Sequence, residues 1–271
     1  VTAAAHDEAG FLALARELSA RTGTALDAYK PKCLRRRIAV RMRARGVHTY
    51  EAYRDVIAAD AAELARLQDA LTINVTRFFR NPEAWEAVAR LVPPLVARGR
   101  PVRGWSAGCA SGEEAYTLAM LWAQHAPGPD ALARLRVDAT DIDRQSLDRA
   151  RAARYREEAF VEAPPPAVEA FTRAVPGGGR EVVPALRALV DVRPLDLTHG
   201  ALPTGAYDLV LCRNVVIYFD RALQERLFAA FFDALVPGGH LVLGKVETLL
   251  GPARDRFEAV DVRERIYRRP A

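Results

Sequence analysis

The stretch Val102-Arg103-Gly104-Trp105-Ser106-Ala107-Gly108-Cys109-Ala110-Ser111-Gly112-Glu113-Glu114 runs from a short apolar segment, through a glycine-rich turn, into two acids. Val102–Ser106 reads as a strand and Glu113–His125 as a helix. Glycines between them let backbone N–H groups approach a ligand closely at a helix N-terminus. The spacing is neither G-x-G-x-x-G nor G-x-S-x-G, and no lysine is present for a phosphate-binding loop. A carboxylate here repels a pyrophosphate and suits a cationic ligand, such as the amino group of S-adenosylmethionine. Gly108 and Glu114 are therefore candidate cofactor contacts. The plainer reading is that Glu113 and Glu114 only favour the positive end of the helix.

Outward from this stretch, short apolar runs alternate with helical ones. Leu135–Asp141 reads as a strand and Asp143–Arg154 as a helix; Tyr207–Cys212 is a strand, Arg221–Leu235 a helix and His240–Gly244 a strand. This order predicts an α/β fold with a doubly wound, mostly parallel Rossmann-like sheet, whose ligands sit beyond the carboxyl ends of the strands. Asp141, at such an end, is suited to the two hydroxyls of a ribose, and Asp143 to capping the next helix. Arg213 and Asn214 follow the third of these strands, where the crevice should open, and Tyr218 comes shortly after.

The first 85 residues read as an all-helical N-terminal domain, and residues 86–271 as the α/β domain. Phe11, Leu14 and Leu18, then Leu34 and Ile38, then Tyr53 and Ile57, then Leu64, Leu67 and Leu71 recur at helical spacing. Within the α/β domain the pattern weakens over about 156–193, where three prolines precede the turn Gly177-Gly178-Gly179. Its flanks, Ala170–Val175 and Arg180–Leu189, suggest a hairpin and hence a small inserted β-subdomain.

The net charge of +5 points to acidic partners without choosing between protein and nucleic acid. Three cysteines outside any C-x-x-C spacing argue against a disulfide framework or structural zinc and suit a reducing cytoplasm. No apolar run has the length to span a bilayer, and no leader pattern opens the chain, so a cytoplasmic monomer without membrane insertion is expected. The segment from Lys30 to Arg45 carries Lys30, Lys32, Arg35, Arg36, Arg37, Arg41, Arg43 and Arg45, a solvated face or a docking surface.

Together these motifs resemble the chemotaxis receptor glutamate methyltransferases, the CheR type. Leu71-Thr72-Ile73-Asn74-Val75-Thr76-Arg77-Phe78-Phe79-Arg80 is similar to the family's segment between its helical and catalytic domains. The glycine loop with Glu113-Glu114 and Tyr116, the Asp141-Ile142-Asp143 run, and Cys212-Arg213-Asn214 with Ile217-Tyr218-Phe219 follow in the family's order. The resemblance implies an S-adenosylmethionine-dependent enzyme that esterifies glutamates of chemoreceptors and releases S-adenosylhomocysteine. It implies cofactor contacts from Asn74, Thr76, Arg80, Glu114, Asp141, Asp196, Leu197, Arg213 and Asn214, and catalytic roles for Arg80 and Tyr218. It also implies receptor methylation helices docking on Arg35, Arg36, Arg37 and Arg41, and a receptor C-terminal peptide at the β-subdomain. One departure stands out: the family's Gly-His-Ser-Glu stretch reads Gly244-Lys245-Val246-Glu247 here.

Competing readings are a methyltransferase of another protein or of nucleic acid, and a non-catalytic cofactor-sensing module. The nucleic-acid reading lacks an (Asp/Asn)-Pro-Pro-(Tyr/Phe) motif at Arg213-Asn214-Val215-Val216 and an aromatic cluster for a flipped base.

Overall fold

The structure is a computed structural model that describes residues 2–22, 25–71 and 75–271, with the side chains of 2–6 left aside. By internal contacts the chain divides into two units, Val1–Ile73 with Tyr218–Leu223, and Asn74–Ile217 with Gln224–Ala271. Sequence reading put this division near residue 85.

The first unit holds α1 (Thr2–Thr22), α2 (Pro31–Ala44), α3 (Tyr50–Ala59) and α4 (Ala61–Leu71). Pro31 sits in the first turn of α2, where a missing N–H costs nothing. The Thr49 side chain accepts from Ala52 N to start α3, and Asp60 accepts from Ala62 N and Glu63 N to start α4. Phe11, Leu14, Leu18, Leu34, Ile38, Tyr53, Ile57 and Leu67 close one core. Residues 218–223 join this unit: Lys30 N donates to Tyr218 O at 2.9 Å, and Tyr29 bridges to Phe219.

The second unit contains α5 (Pro82–Ala89), α6 (Val92–Ala97), β1 (Val102–Ala107), α7 (Glu113–His125), α8 (Pro129–Leu132), β2 (Leu135–Asp141), α9 (Arg144–Ala152) and β3 (Arg154–Tyr155). There follow α10 (Pro165–Phe171), β4 (Thr172–Ala174), β5 (Arg180–Val182), α11 (Pro184–Arg187), β6 (Val190–Pro194) and β7 (Tyr207–Cys212). The last elements are α12 (Arg221–Ala234), which starts in the first unit, β8 (Leu235–Leu243), α13 (Ala253–Arg256), β9 (Glu258–Asp261) and β10 (Ile266–Arg268).

Seven strands lie in the order β6-β2-β1-β7-β8-β10-β9. The first five are mutually parallel, and β10 is antiparallel to both neighbours. Consecutive strand residues face opposite sides. Gly104 lies against Leu118 of α7, whereas Trp105 meets Phe231 of α12 edge-on at 5.6 Å, so helices cover both faces. This is the doubly wound arrangement that the alternating runs predict. Parallel pairing brings Ala107 beside Thr140 and Cys212 beside Leu243, so the tips of β1, β2, β7 and β8 share one edge.

The insertion differs in detail. β3, β5 and β4 form a separate three-stranded sheet. Arg180–Leu189 is not one strand, because β5 ends at Val182 and Pro184 opens α11. Residues 190–193, read as part of the insertion, lie in β6 and pair with β2 in the main sheet.

Candidate functional site

The loop after β1 hangs from the tip of β2. Gly108 N and Cys109 N both donate to Thr140 O, at 2.8 and 2.9 Å. Ala110 N donates to Asp141 Oδ2 at 2.8 Å, and Asp143 N to Asp141 Oδ1 at 2.9 Å. Each Asp141 oxygen thus keeps acceptor capacity while being held in place. Burial raises its pKa, and those backbone N–H groups work against the rise. Asp143 caps α9 by accepting from Gln145 N, as its position predicts. Gly108 has φ +79°, and a Cβ there would come within 2.6 Å of Val215 Cγ2. The turn therefore strongly favours glycine, and the β7 tip packs directly on the loop after β1.

Glu114 and Arg213 form the charged centre. Arg213 Nη1 lies 3.7 Å from Glu114 Oε2, with side-chain exposures of 4% and 11%. Ser106 Oγ donates to Glu114 Oε1 at 2.7 Å, and Arg213 Nη2 donates to Arg80 O at 2.7 Å. Trp85 faces the guanidinium at 5.1 Å. Burial raises the Glu114 pKa against the pull of Arg213 and lowers that of Arg213 against the pull of Glu114. The Arg80 guanidinium carries positive charge toward both, and its Nη1 donates to Val75 O at 2.7 Å. Arg213 Nε and Asn214 Oδ1 are buried without a hydrogen-bond partner in the chain, one a donor and one an acceptor. An amino-acid moiety, with its ammonium and carboxylate, fits such a pair beside a buried acid.

The remaining expected residues fall as follows. Leu195 N donates to Asp141 O at 3.0 Å, which brings Asp196 and buried Leu197 to the β2 tip. Asp196 Oδ1 accepts from Thr198 N and Oγ1, while its Oδ2 lies 3.1 Å from His199 Nδ1. Thr76 is half-buried in the segment leading to Arg80. Asn74 lies outside the described residues. Tyr218 belongs to the helical unit, with the Arg37 guanidinium 5.7 Å from its ring. Sequence reading assigned no role to Ser106 or Trp85, whose contacts only the fold creates, and met Glu247 only as the acid kept in the Gly244-Lys245-Val246-Glu247 stretch, without its backbone partners.

Three of the four arginines expected to dock a partner are engaged within the helical unit. Arg35 pairs with Asp7 and Glu8, Arg37 Nη1 donates to Ala70 O at 2.6 Å, and Arg41 binds buried Glu63 at 2.6 Å. Arg36 is exposed, and so are Lys32 and Arg43 on the same helix. Among the described residues no cluster of three or more His, Cys, Asp or Glu side chains is poised for a metal ion. Nor is any helix long and apolar enough to cross a membrane.

Two family profiles cover most of the chain: "CheR methyltransferase, all-alpha domain" over residues 9–72 and "CheR methyltransferase, SAM binding domain" over 74–266. The fold and the site thus define an S-adenosylmethionine-binding methyltransferase. The chain belongs to the CheR methyltransferase family. A chemotaxis protein methyltransferase of Klebsiella aerogenes is 34% identical over 92% of this chain and 87% of its own. One of Vibrio anguillarum is 34% identical over 76% of both chains. An uncharacterized 104.1 kDa protein of Rhodobacter capsulatus is 36% identical over 88% of this chain, which spans only 25% of that relative. Among solved structures, an S-adenosylmethionine dependent methyltransferase from Mesorhizobium loti matches at a TM-score of 0.33, with 22% identity over 59% of this chain and 52% of its own.

Proposed function

We propose that this chain is a protein-glutamate O-methyltransferase. In this reading it moves a methyl group from S-adenosylmethionine to glutamate side chains of chemoreceptor-type proteins in the cytoplasm. The products are glutamate methyl esters and S-adenosylhomocysteine. The observation that carries the reading is buried Glu114 beside Arg213 and Asn214, whose unpartnered polar atoms suit the amino-acid end of the cofactor. Asp141 takes the ribose hydroxyls, Gly108 admits the ligand to the backbone, and Asp196 and Leu197 meet the adenine. Asn74, Thr76 and Arg80 complete the cofactor contacts.

When bound, the cofactor supplies an electrophilic methyl group on a sulfonium. A glutamate, with a reference pKa of ~4.3, is ionised at neutral pH and is already the nucleophile. No general base is required, so the task of the chain is alignment and exclusion of water. Arg80 and Tyr218 orient the reactants by hydrogen bonding. Because Arg80 sends its charge toward Glu114 and Arg213, it serves the cofactor side more than the attacking oxygen. A tight grip on that oxygen would blunt it.

For receptor docking, the exposed Lys32, Arg36 and Arg43 are better placed than Arg35, Arg37 and Arg41, which are occupied. Complementary charge chiefly speeds encounter and fixes register. The seat for a receptor C-terminal peptide is the three-stranded sheet. There β4 is an edge strand, and a cavity of about 730 Å³ is lined by Arg154, Arg156, Arg173 and Glu181. Incubation with methyl-labelled S-adenosylmethionine and receptor cytoplasmic domains tests the reading. Base-labile label that disappears when the methylated glutamates are changed to alanine supports it. Label on nucleic acid alone, or none on any receptor, rejects it.

A further inference from the structure

Glu247 closes the stretch in which this chain departs from its family, and it is one of the most deeply buried acids, at 1% exposure. A buried carboxylate needs a counter-charge or a full set of donors. Here the donors are all backbone. Oε2 accepts from Asn214 N at 2.9 Å and Gly244 N at 2.5 Å. Oε1 accepts from Val215 N at 2.8 Å and, more weakly, Ile217 N at 3.4 Å. Burial raises its pKa, and these N–H groups oppose the rise.

The donors come from two strand tips. Asn214, Val215 and Ile217 follow β7, and Gly244 follows β8. The fit is tight enough that a Cβ on Gly244 would lie 2.8 Å from both Asn214 N and Glu247 Oε2. Asn214 sits at φ +62°, a left-handed conformation that asparagine tolerates better than most non-glycine residues. The segment so held carries Arg213 to Glu114, presents the buried Asn214 Oδ1, and packs Val215 on Gly108.

We propose that Glu247 is a positioning residue for methyl transfer: by clasping the β7 tip to the β8 tip, it sets Arg213 and Asn214 for the amino-acid end of the cofactor. The inference rests on the reading of Arg213 and Asn214 as cofactor contacts. The two residues that differ from the family's stretch, Lys245 and Val246, are not required by the clasp, since from this stretch it uses only Gly244 N and the Glu247 side chain. That explains how the histidine and serine can be lost while the glutamate stays.

The test uses the full chain with Glu247→Gln and Glu247→Asp, titrated with S-adenosylmethionine by calorimetry. Hydrogen exchange is followed at the amides of 214, 215 and 244, and thermal unfolding is measured without cofactor. The amide group of glutamine places an N–H against backbone N–H groups, so E247Q is expected to bind at least about tenfold more weakly, to lose protection at those amides, and to unfold at a lower midpoint while staying folded at the temperature of the titration. E247D, which keeps the carboxylate, recovers part of the affinity. A folded E247Q that binds within about twofold of wild type despite deprotected amides overturns the proposal. Should E247Q not fold, the same two readouts on E247D decide. Weakened binding in E247Q with unaltered binding in Arg213→Met and Asn214→Ala overturns it differently, by removing the contacts through which Glu247 is said to act.

Discussion

Arg213 and Glu114 meet 3.7 Å apart at the tips of β7 and α7, both nearly shut off from solvent. Removing one partner of such a pair leaves a buried charge alone, which costs about 3–5 kcal/mol. Arg213→Met is therefore expected to lower unfolding stability by about that amount, and Arg213→Met with Glu114→Gln to restore much of it. Urea unfolding of the wild type, Arg213→Met, Glu114→Gln and the double variant measures the coupling. Equal stability of the single and double variants would mean the pair is not coupled.

Glu113, next to that pair, behaves in the opposite sense to a surface acid. Burial pushes its pKa from 4.5 to about 7, with Ser111 Oγ hydrogen-bonded to the carboxyl. The folded state therefore holds the proton more tightly than the unfolded state. Its contribution to stability is complete below about pH 4.5 and is lost as pH rises through about 7. A shift of this size is worth at most about 3 kcal/mol. Glu113→Gln should flatten the fall in unfolding midpoint across this interval, measured by thermal scans at a series of pH values. An unchanged slope would place the titration elsewhere.

In the helical unit, Glu63 is buried against Arg41 and the Tyr53 hydroxyl, at 2.6 and 2.8 Å. Burial alone would raise its pKa, but hydrogen bonds from Arg41 and Tyr53 outweigh it and hold the pKa low. The sign is thus reversed relative to Glu113: the stability is present above the unfolded pKa and is lost as pH falls through the lower folded one. Arg41→Glu is expected to destabilise the chain by about 3 kcal/mol or more, since it sets two acids together in place of a pair. Chemical denaturation reads this directly.

The exposed basic face of α2 gives a contrasting outcome. Changing Lys32, Arg36 and Arg43 to glutamate should raise the receptor KM about tenfold at low salt, with cofactor affinity and unfolding midpoint near wild type. The difference should shrink as salt screens the charges. Receptor methylation that is indifferent both to the triple change and to ionic strength would remove this face from docking.

Much of the α/β unit is legible in the chain because β1, β2 and β7 are short, largely buried segments set between turn residues and helical runs. β6 is harder to see: Val190-Asp191-Val192-Arg193-Pro194 is an edge strand that is nowhere fully buried. β3 has two residues, and β8 begins at Leu235, across a Pro-Gly-Gly run that resembles a break. Glu114 and Asp141 stand out in the chain because each is an acid at a strand-to-helix turn, Asp141 ending β2 and Glu114 in the first turn of α7, where the helix N-terminus offers it a plainer use. The roles of the α2 arginines are not legible, since their partners Glu8, Glu63 and Ala70 lie on other helices and no helical periodicity encodes them. Tyr218 shows the same limit, as only the fold assigns residues 218–223 to the helical unit.

The account depends most on two acids holding one ligand. Calorimetric titration of S-adenosylmethionine into the wild-type chain, Glu114→Gln and Asp141→Asn tests this most directly. The account predicts saturable one-site binding by wild type and a loss of about tenfold or more in each variant, with all three folded. No uptake by the wild-type chain, or equal affinity in all three, would contradict it.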